Sequence, residues 1–338
     1  MRLLITGAAG FIGFHLTTLR LKQGDTVIAI DNLNDYYDVN LKLARLEQLK
    51  TYPNFQFYQA DIADSKQIAA IFERYKPQRV VNLAAQAGVR YSLSHPESYV
   101  HSNLVGFSTL IEACRIHEVE HLVYASTSSV YGANELQPYE ESAGTNHPLT
   151  IYAATKKANE LIAHSYSNLY KLPTTGLRFF TVYGPWGRPD MAFFSFTRDI
   201  LAGKAIKIYN YGQMQRDFTY IDDIVAGISL VIDKPATANP DWLPSNPDPA
   251  SSYAPYRIYN IGCGNPVNLL TYISAIEKAT GKSAIKELLP MQAGEVLSTH
   301  ADTQRFYSDF GYLPKIGFEE GISRFVSWYQ NFHQNFGE

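Results

Sequence analysis

Glycines at Gly7, Gly10 and Gly13 stand between the apolar run Leu3-Leu4-Ile5 and a stretch of helical pattern. That spacing confines the start of the chain to one kind of unit: a strand, a tight turn, and a helix whose N-terminus can receive phosphate. Gly7 is expected to permit the turn, Gly10 the close approach of backbone to a diphosphate, and Gly13 the packing of helix on strand. The spacing is GxxGxxG rather than GxGxxG, and three glycines alone equally describe an ordinary turn into a helix. A second apolar strand, Thr26 to Ile30, ends on Asp31, whose carboxylate can accept hydrogen bonds from the hydroxyls of an adenosine ribose. Turn and acid in register make a dinucleotide site the stronger reading, with Phe11 and Ile12 opening the helix. Asp31 is followed by Asn32, with no arginine beside it, so a ribose 2′-phosphate would meet uncompensated repulsion and NAD is favoured over NADP.

Further β-like runs recur at Phe55 to Gln59, Arg79 to Leu83, His121 to Ala125 and Thr174 to Phe179, mostly with helical patterns between them. This alternation predicts an α/β protein: a Rossmann-type doubly wound parallel sheet over residues 1–180. After Tyr183 the turn-rich GPWGRPD breaks the pattern. Residues 181–338 are expected to form mainly a smaller C-terminal α/β lobe that binds substrate, with 215–232 and 257–262 returning to the first domain. Six prolines lie between Lys234 and Tyr256, a composition that predicts a surface excursion. Pro96 to His117 and Thr150 to Leu169 read as long amphipathic helices.

A chain of 338 residues with 46% hydrophobic content can bury a large core, and a net charge of -3 argues against nucleic-acid or membrane-surface partners. Cys114 and Cys263 are the only cysteines, which gives neither a disulfide framework nor a metal site. Histidines such as His15 and His101 lack acidic or cysteine partners at ligand spacing and read as packing or surface residues. With no signal segment and no run long enough to span a bilayer, the expected location is cytoplasmic.

Tyr152 and Lys156, four residues apart, project from one face of a helix. A neighbouring ammonium and a positive nicotinamide would both favour phenolate and move the tyrosine toward use as a base. On its own the pair also describes a surface contact of little worth. Its weight comes from the strand end ASTSSVYG, Ala125 to Gly132, which places Thr127, Ser128 and Ser129 where open α/β sheets bind their ligands.

These segments, with DNLNDYYD at 31–38, NLAAQAGVRYSL at 82–93, SNLVGF at 102–107, LRFFTVYGPWGRPDMA at 177–192 and QRDFTYIDD at 215–223, resemble the nucleotide-sugar epimerases of the extended short-chain dehydrogenase/reductase family. The similarity is greatest to those acting on UDP-glucuronate and covers nearly the whole chain. The resemblance implies that Asp61 and Ile62 flank the adenine, and that Leu83, Ala84, Ala85, Gln86 and Asn103 line the NAD cleft. It also implies that Tyr152 is the base, Lys156 tunes it, and Thr127 shares its proton. Arg216, Arg90 and Arg188 are expected on the diphosphate or the sugar acid, because guanidinium groups suit oxyanions, although each equally describes a surface ion pair. Ser128, Ser129, Thr181 and Arg188 are expected to orient a sugar carboxylate. A homodimer formed through the two long helices is also implied.

Related dehydratases carry Asp-Glu after the threonine, decarboxylases usually place Glu at the position of Ser129, and UDP-glucose epimerases usually have Asn at that of Thr181. Each departure favours a UDP-glucuronate 4-epimerase over these alternatives, and an intact Thr127, Tyr152 and Lys156 set disfavours a non-catalytic NAD sensor.

Overall fold

Alternate residues of the first strand go to opposite layers: Leu3 and Ile5 join one apolar cluster and Leu4 another, all fully buried. That two-sided burial is what a parallel sheet covered by helices on both faces demands. In the computed structural model, which describes residues 1–292 and 295–336, the first half is built from β1 (Arg2–Thr6), α1 (Phe11–Lys22), β2 (Thr26–Asp31), α2 (Val39–Leu49), β3 (Phe55–Gln59), α3 (Ser65–Tyr75) and β4 (Arg79–Asn82). A helical rod follows, comprising α4 (Pro96–Tyr99), a π-helical stretch Val100–Val105 and α5 (Gly106–Ile116), and then β5 (His121–Thr127), α6 (Ile151–Tyr170) and β6 (Thr174–Phe179). The expected helix at 96–117 is therefore interrupted by wider turns beside Gln86, where Asn103 leaves the α-helical ladder to bond neighbouring chain segments.

The second half holds β7 (Thr181–Tyr183), α7 (Ala192–Leu201), β8 (Ala205–Ile208), β9 (Gln215–Tyr220), α8 (Ile221–Asp233), β10 (Tyr256–Ile261), β11 (Pro266–Asn268), α9 (Leu269–Thr280), β12 (Ile285–Leu288), α10 (Gln304–Phe310) and α11 (Phe318–Phe336). Among the described residues, the main sheet has seven strands in the order β10-β6-β5-β4-β1-β2-β3, all parallel. The order reverses between β1 and β4, which opens a crevice at their carboxyl ends.

Residues 257–262 thus lie in or beside the seventh strand. The segment 215–232 is divided: β9 pairs with β7 and β11 in a separate three-stranded sheet, whereas α8 lies against α1. Arg20 fixes that contact by donating to Ser229 at 2.8 Å and to Asp233 at 3.0 Å. β9 therefore contributes its backbone to the lobe sheet, and α8 packs on the first domain. Of the proline-rich 234–256 stretch, residues 235–255 contain no helix or named strand, yet the end is not solvated: Ala250 and Ala254 are fully buried beside β10.

Arg178 of β6 and Glu160 of α6 form an ion pair with both side chains at 0% exposure. Nε and Nη2 of Arg178 each donate to the carboxylate at 2.9 Å, Ser126 adds a bond at 2.7 Å, and Lys157 another at 3.0 Å. Burial alone would raise the Glu160 pKa, but the Arg178 charge and its hydrogen bonds prevail and bring it to about 2. No helix among the described residues is long and apolar enough to cross a membrane, and no group of three or more His, Cys, Asp or Glu there could hold a metal ion.

Candidate active site

A cavity of about 720 Å³ runs from the glycine turn, over the ends of the parallel strands, to the lobe formed by β7, β9 and β11. Gly7 has φ +67°, and a Cβ there would meet the Ala84 backbone nitrogen at 2.7 Å. A Cβ on Gly13 would lie 2.0 Å from the Gly7 carbonyl oxygen, so turn and helix touch without room for a methyl group. Helix α1 has neither a side-chain cap nor an acid in its first turn, and Gly10, Phe11, Ile12 and Gly13 line the cavity. These features fit the diphosphate of a dinucleotide.

The Asp31 carboxylate is oriented by backbone donors, Ala9 N–H at 3.0 Å and Leu33 N–H at 2.9 Å, so each oxygen keeps a further lone pair for a ribose. Asn32 donates to Asp61 at 3.1 Å, and Ile62 lies beside it. Burial raises the Asp61 pKa, but the Ala63 N–H, Asn32 and His101 outweigh it and hold the carboxyl below its ordinary range. His101 thus has an acidic neighbour, at 3.4 Å, that spacing along the chain did not reveal. Leu83, Ala84, Ala85 and Gln86 form the cleft wall.

Asn103 corrects an expectation. It is buried behind that wall rather than lining it, accepting from Gln86 N–H at 2.9 Å and donating to Thr155 at 3.0 Å. Its amide offers the directed donors and acceptor that a backbone leaving the sheet needs. Two cations near Asp31 were not anticipated: Lys42 bonds Asn34 and lines the cavity, and buried Arg45 holds the carbonyls of Ala9 and Trp186. Both stand on α2, past the non-helical stretch 32–38, so the sequence beside Asp31 gave no sign of them.

Thr127 ends β5 and caps the following turn by accepting from Ser129 N–H at 3.2 Å. Tyr152 lies in the first turn of α6, which Thr150 starts by accepting from Ala153 N–H at 3.2 Å. Burial raises the Tyr152 pKa, and a hydrogen bond from Thr127 and the charge of Arg188 act against that rise. Lys156 faces the same cavity but donates to the Ala125 carbonyl at 2.8 Å, and burial lowers its pKa to about 8. Thr127 and Arg188 are thus the groups that act against the effect of burial on the phenol. Lys156 is bolted to the strand because a buried ammonium must find an acceptor.

Ser128, Ser129, Thr181 and Arg188 also line the cavity. The Arg188 side chain is 21% exposed and binds Asp190 with two bonds, Nε at 3.0 Å and Nη2 at 2.5 Å. Arg216 donates to the carbonyls of Gln215 and Leu297, at 2.8 and 3.2 Å. Burial lowers its pKa against the opposing charge of Glu295, 4.0 Å away. Arg90 bonds the other oxygen of Glu295 and lies over the Tyr209 ring, with 57% of its side chain exposed. Arg90 and Arg216 thus share a carboxylate brought from more than seventy residues away, a contact invisible to local pattern.

Residues 3–262 match the model of the NAD dependent epimerase/dehydratase family. The chain belongs to that family. A family relative from Staphylococcus aureus, "Protein CapI", is 50% identical across 99% of this chain and 100% of its own. A "Probable UDP-glucuronate 4-epimerase" from Rhizobium meliloti (strain 1021) is 46% identical over 99% of this chain and 98% of its own. Among solved structures, the UDP-glucuronic acid 4-epimerase of Bacillus cereus, in complex with UDP-glucuronic acid and NAD, is 32% identical with a TM-score of 0.87, covering 98% of this chain and 100% of that one.

Proposed function

We propose that this chain is an NAD-dependent 4-epimerase that interconverts UDP-glucuronate and UDP-galacturonate. The observation that carries this reading is that Tyr152, Thr127 and Arg188 line one cavity with the glycine turn and Asp31. A hydroxyl acid/base and an oxyanion binder then face one sugar ring. Bound NAD supplies the chemistry of accepting a hydride from C4 and returning it.

The protein's part is proton transfer and orientation. Tyr152 takes the proton of the 4-hydroxyl, with Thr127 bonding the phenolate as charge develops. A 4-keto sugar results, turns within the cavity, and receives both proton and hydride on the other face. Because the ketone stands β to the sugar carboxylate, loss of carbon dioxide competes whenever the C5–C6 bond aligns with the carbonyl π-system. Ser128, Ser129, Thr181 and Arg188 hold the carboxylate out of that alignment. Arg216 and Arg90 bind the diphosphate.

The test is incubation of the purified protein with UDP-glucuronate, without added NAD, followed by NMR of the anomeric protons. UDP-galacturonate is the expected product. UDP-xylose as the main product would overturn the proposal, as would inertness that persists after NAD is added.

We also read the outward faces of the two helical stretches as the contact with a second copy. Val100 and Val105 are 42% and 47% exposed, and Leu161 and Leu169 are 62% and 64% exposed. Light scattering should give twice the 38.0 kDa of one chain, and a monomer at working concentration would refute this.

A further inference from the structure

The polar cluster around Arg188 is more elaborate than anion binding requires. Asp190 takes one edge of the guanidinium, through Nε at 3.0 Å and Nη2 at 2.5 Å. Three N–H groups remain, two on Nη1 and one on Nη2. Asp190 is itself held by the Tyr36 hydroxyl at 3.1 Å, and the Tyr36 ring packs against Tyr91, their centroids 4.8 Å apart. The guanidinium carbon lies 5.9 Å from the Tyr36 ring centroid. Gly88, at φ +101°, makes this approach possible, since a Cβ there would be 2.5 Å from the Tyr36 hydroxyl oxygen. Three separate segments, at 36, 88–91 and 188–190, thus converge to fix the plane and direction of one side chain.

Arginine has many rotamers, and holding it in one is costly unless partners fix it. We infer that Asp190, with Tyr36 behind it, is a positioning residue that aims the open edge of Arg188 at the sugar carboxylate, and so decides whether the 4-keto acid keeps its carbon dioxide. The inference rests on the epimerase reading above. An Arg188 free to swing would still attract the carboxylate but would no longer hold its rotation about C5–C6. Affinity is therefore the wrong readout, because removing Asp190 also removes a competing negative charge from Arg188. The partition of the keto intermediate is the sensitive one. In the side reaction the C5–C6 bond breaks and carbon dioxide leaves, and the bond's electron pair enters the C4 carbonyl as an enolate. C5 then takes a proton from water. The resulting 4-keto pentose takes back at C4 the hydride removed in the first half-reaction, and its oxygen takes back the proton held by Tyr152, giving a UDP-pentose.

The experiment measures the ratio of UDP-pentose to UDP-galacturonate made from UDP-glucuronate by the wild-type holoenzyme and by Asp190→Asn, Tyr36→Phe, Arg188→Ala and Asp190→Asn/Arg188→Ala. Asp190→Asn should raise the pentose share about 10-fold, the scale of one lost charge-assisted hydrogen bond. Tyr36→Phe should raise it less, and the double variant should match Arg188→Ala, because Asp190 acts only through that side chain. A merely structural role would slow both products equally and leave the ratio unchanged, which would overturn the inference. If Asp190→Asn fails to fold, Tyr36→Phe decides by the same ratio. If Arg188→Ala raises the pentose share while Asp190→Asn and Tyr36→Phe do not, the inference fails and the epimerase reading stands. If wild-type protein makes no UDP-galacturonate, the epimerase reading itself has failed.

Discussion

Tyr152→Phe should lower the rate of sugar epimerisation by about 10² to 10⁴-fold, the range associated with loss of a positioned acid/base group. The substitution removes one oxygen and leaves the ring where it is, edge-on to Tyr99 with centroids 6.0 Å apart. Folding and cofactor retention should therefore survive, because the glycine turn, Asp31 and Asp61 are untouched. Thr127 would lose its partner but keep its bonds to Ser129. Turnover with UDP-glucuronate, measured beside the NAD content of the purified variant, separates the two effects. A variant that retained the wild-type rate would exclude Tyr152 as the base. One that lost NAD would show that the ring, not the hydroxyl, was being tested.

Glu160→Gln should destabilise the protein by about 3 to 5 kcal/mol, because it leaves the Arg178 charge buried without a counter-ion. The amide keeps the shape of the side chain but supplies no negative charge. Arg178 keeps only neutral partners, the Tyr131 hydroxyl at 3.1 Å and the Glu141 carbonyl at 3.3 Å. The pH dependence carries an independent sign. A carboxyl whose pKa is lowered from 4.5 to about 2 in the fold adds stability that is fully present above pH 4.5 and is lost as the pH falls toward 2. Wild type and variant should therefore converge in urea midpoint across that window. Equal midpoints at neutral pH would show that the pair is not worth what its burial implies.

What the residues along the chain disclosed, and what they hid, follows the range of the interactions. The turn at Gly7, the acid at Asp31 and the alternation of β1 to β6 are local patterns, and the structure places them together at one crevice. The seventh strand joins β6 across almost eighty residues, and nothing within 256–261 specifies its neighbour. β9 pairs within the lobe sheet, and the residues of a strand carry no label for the sheet it joins. The same holds for charges. Spacing put Lys156 on the same helix face as Tyr152, but its bond to the Ala125 carbonyl comes from the fold and no spacing shows it. Glu295 meets Arg90 and Arg216 from far along the chain, which no local pattern reports. Asp190 stood two residues from Arg188 in plain view, yet its role depends on Tyr36, which arrives from a loop more than 150 residues earlier.

The bond from Lys156 to the Ala125 carbonyl has a consequence for how the active site can change. The same ammonium that faces the cavity also rivets α6 to β5, two residues before Thr127. A replacement at this position cannot be tried for chemistry alone, because it also loosens the joint that sets how far the helix stands from the strand. Tyr152 carries no such second duty. New reactions on this scaffold are therefore more accessible by exchanging the groups at 128, 129 and 181, which hang from the frame, than by altering the lysine that is part of it.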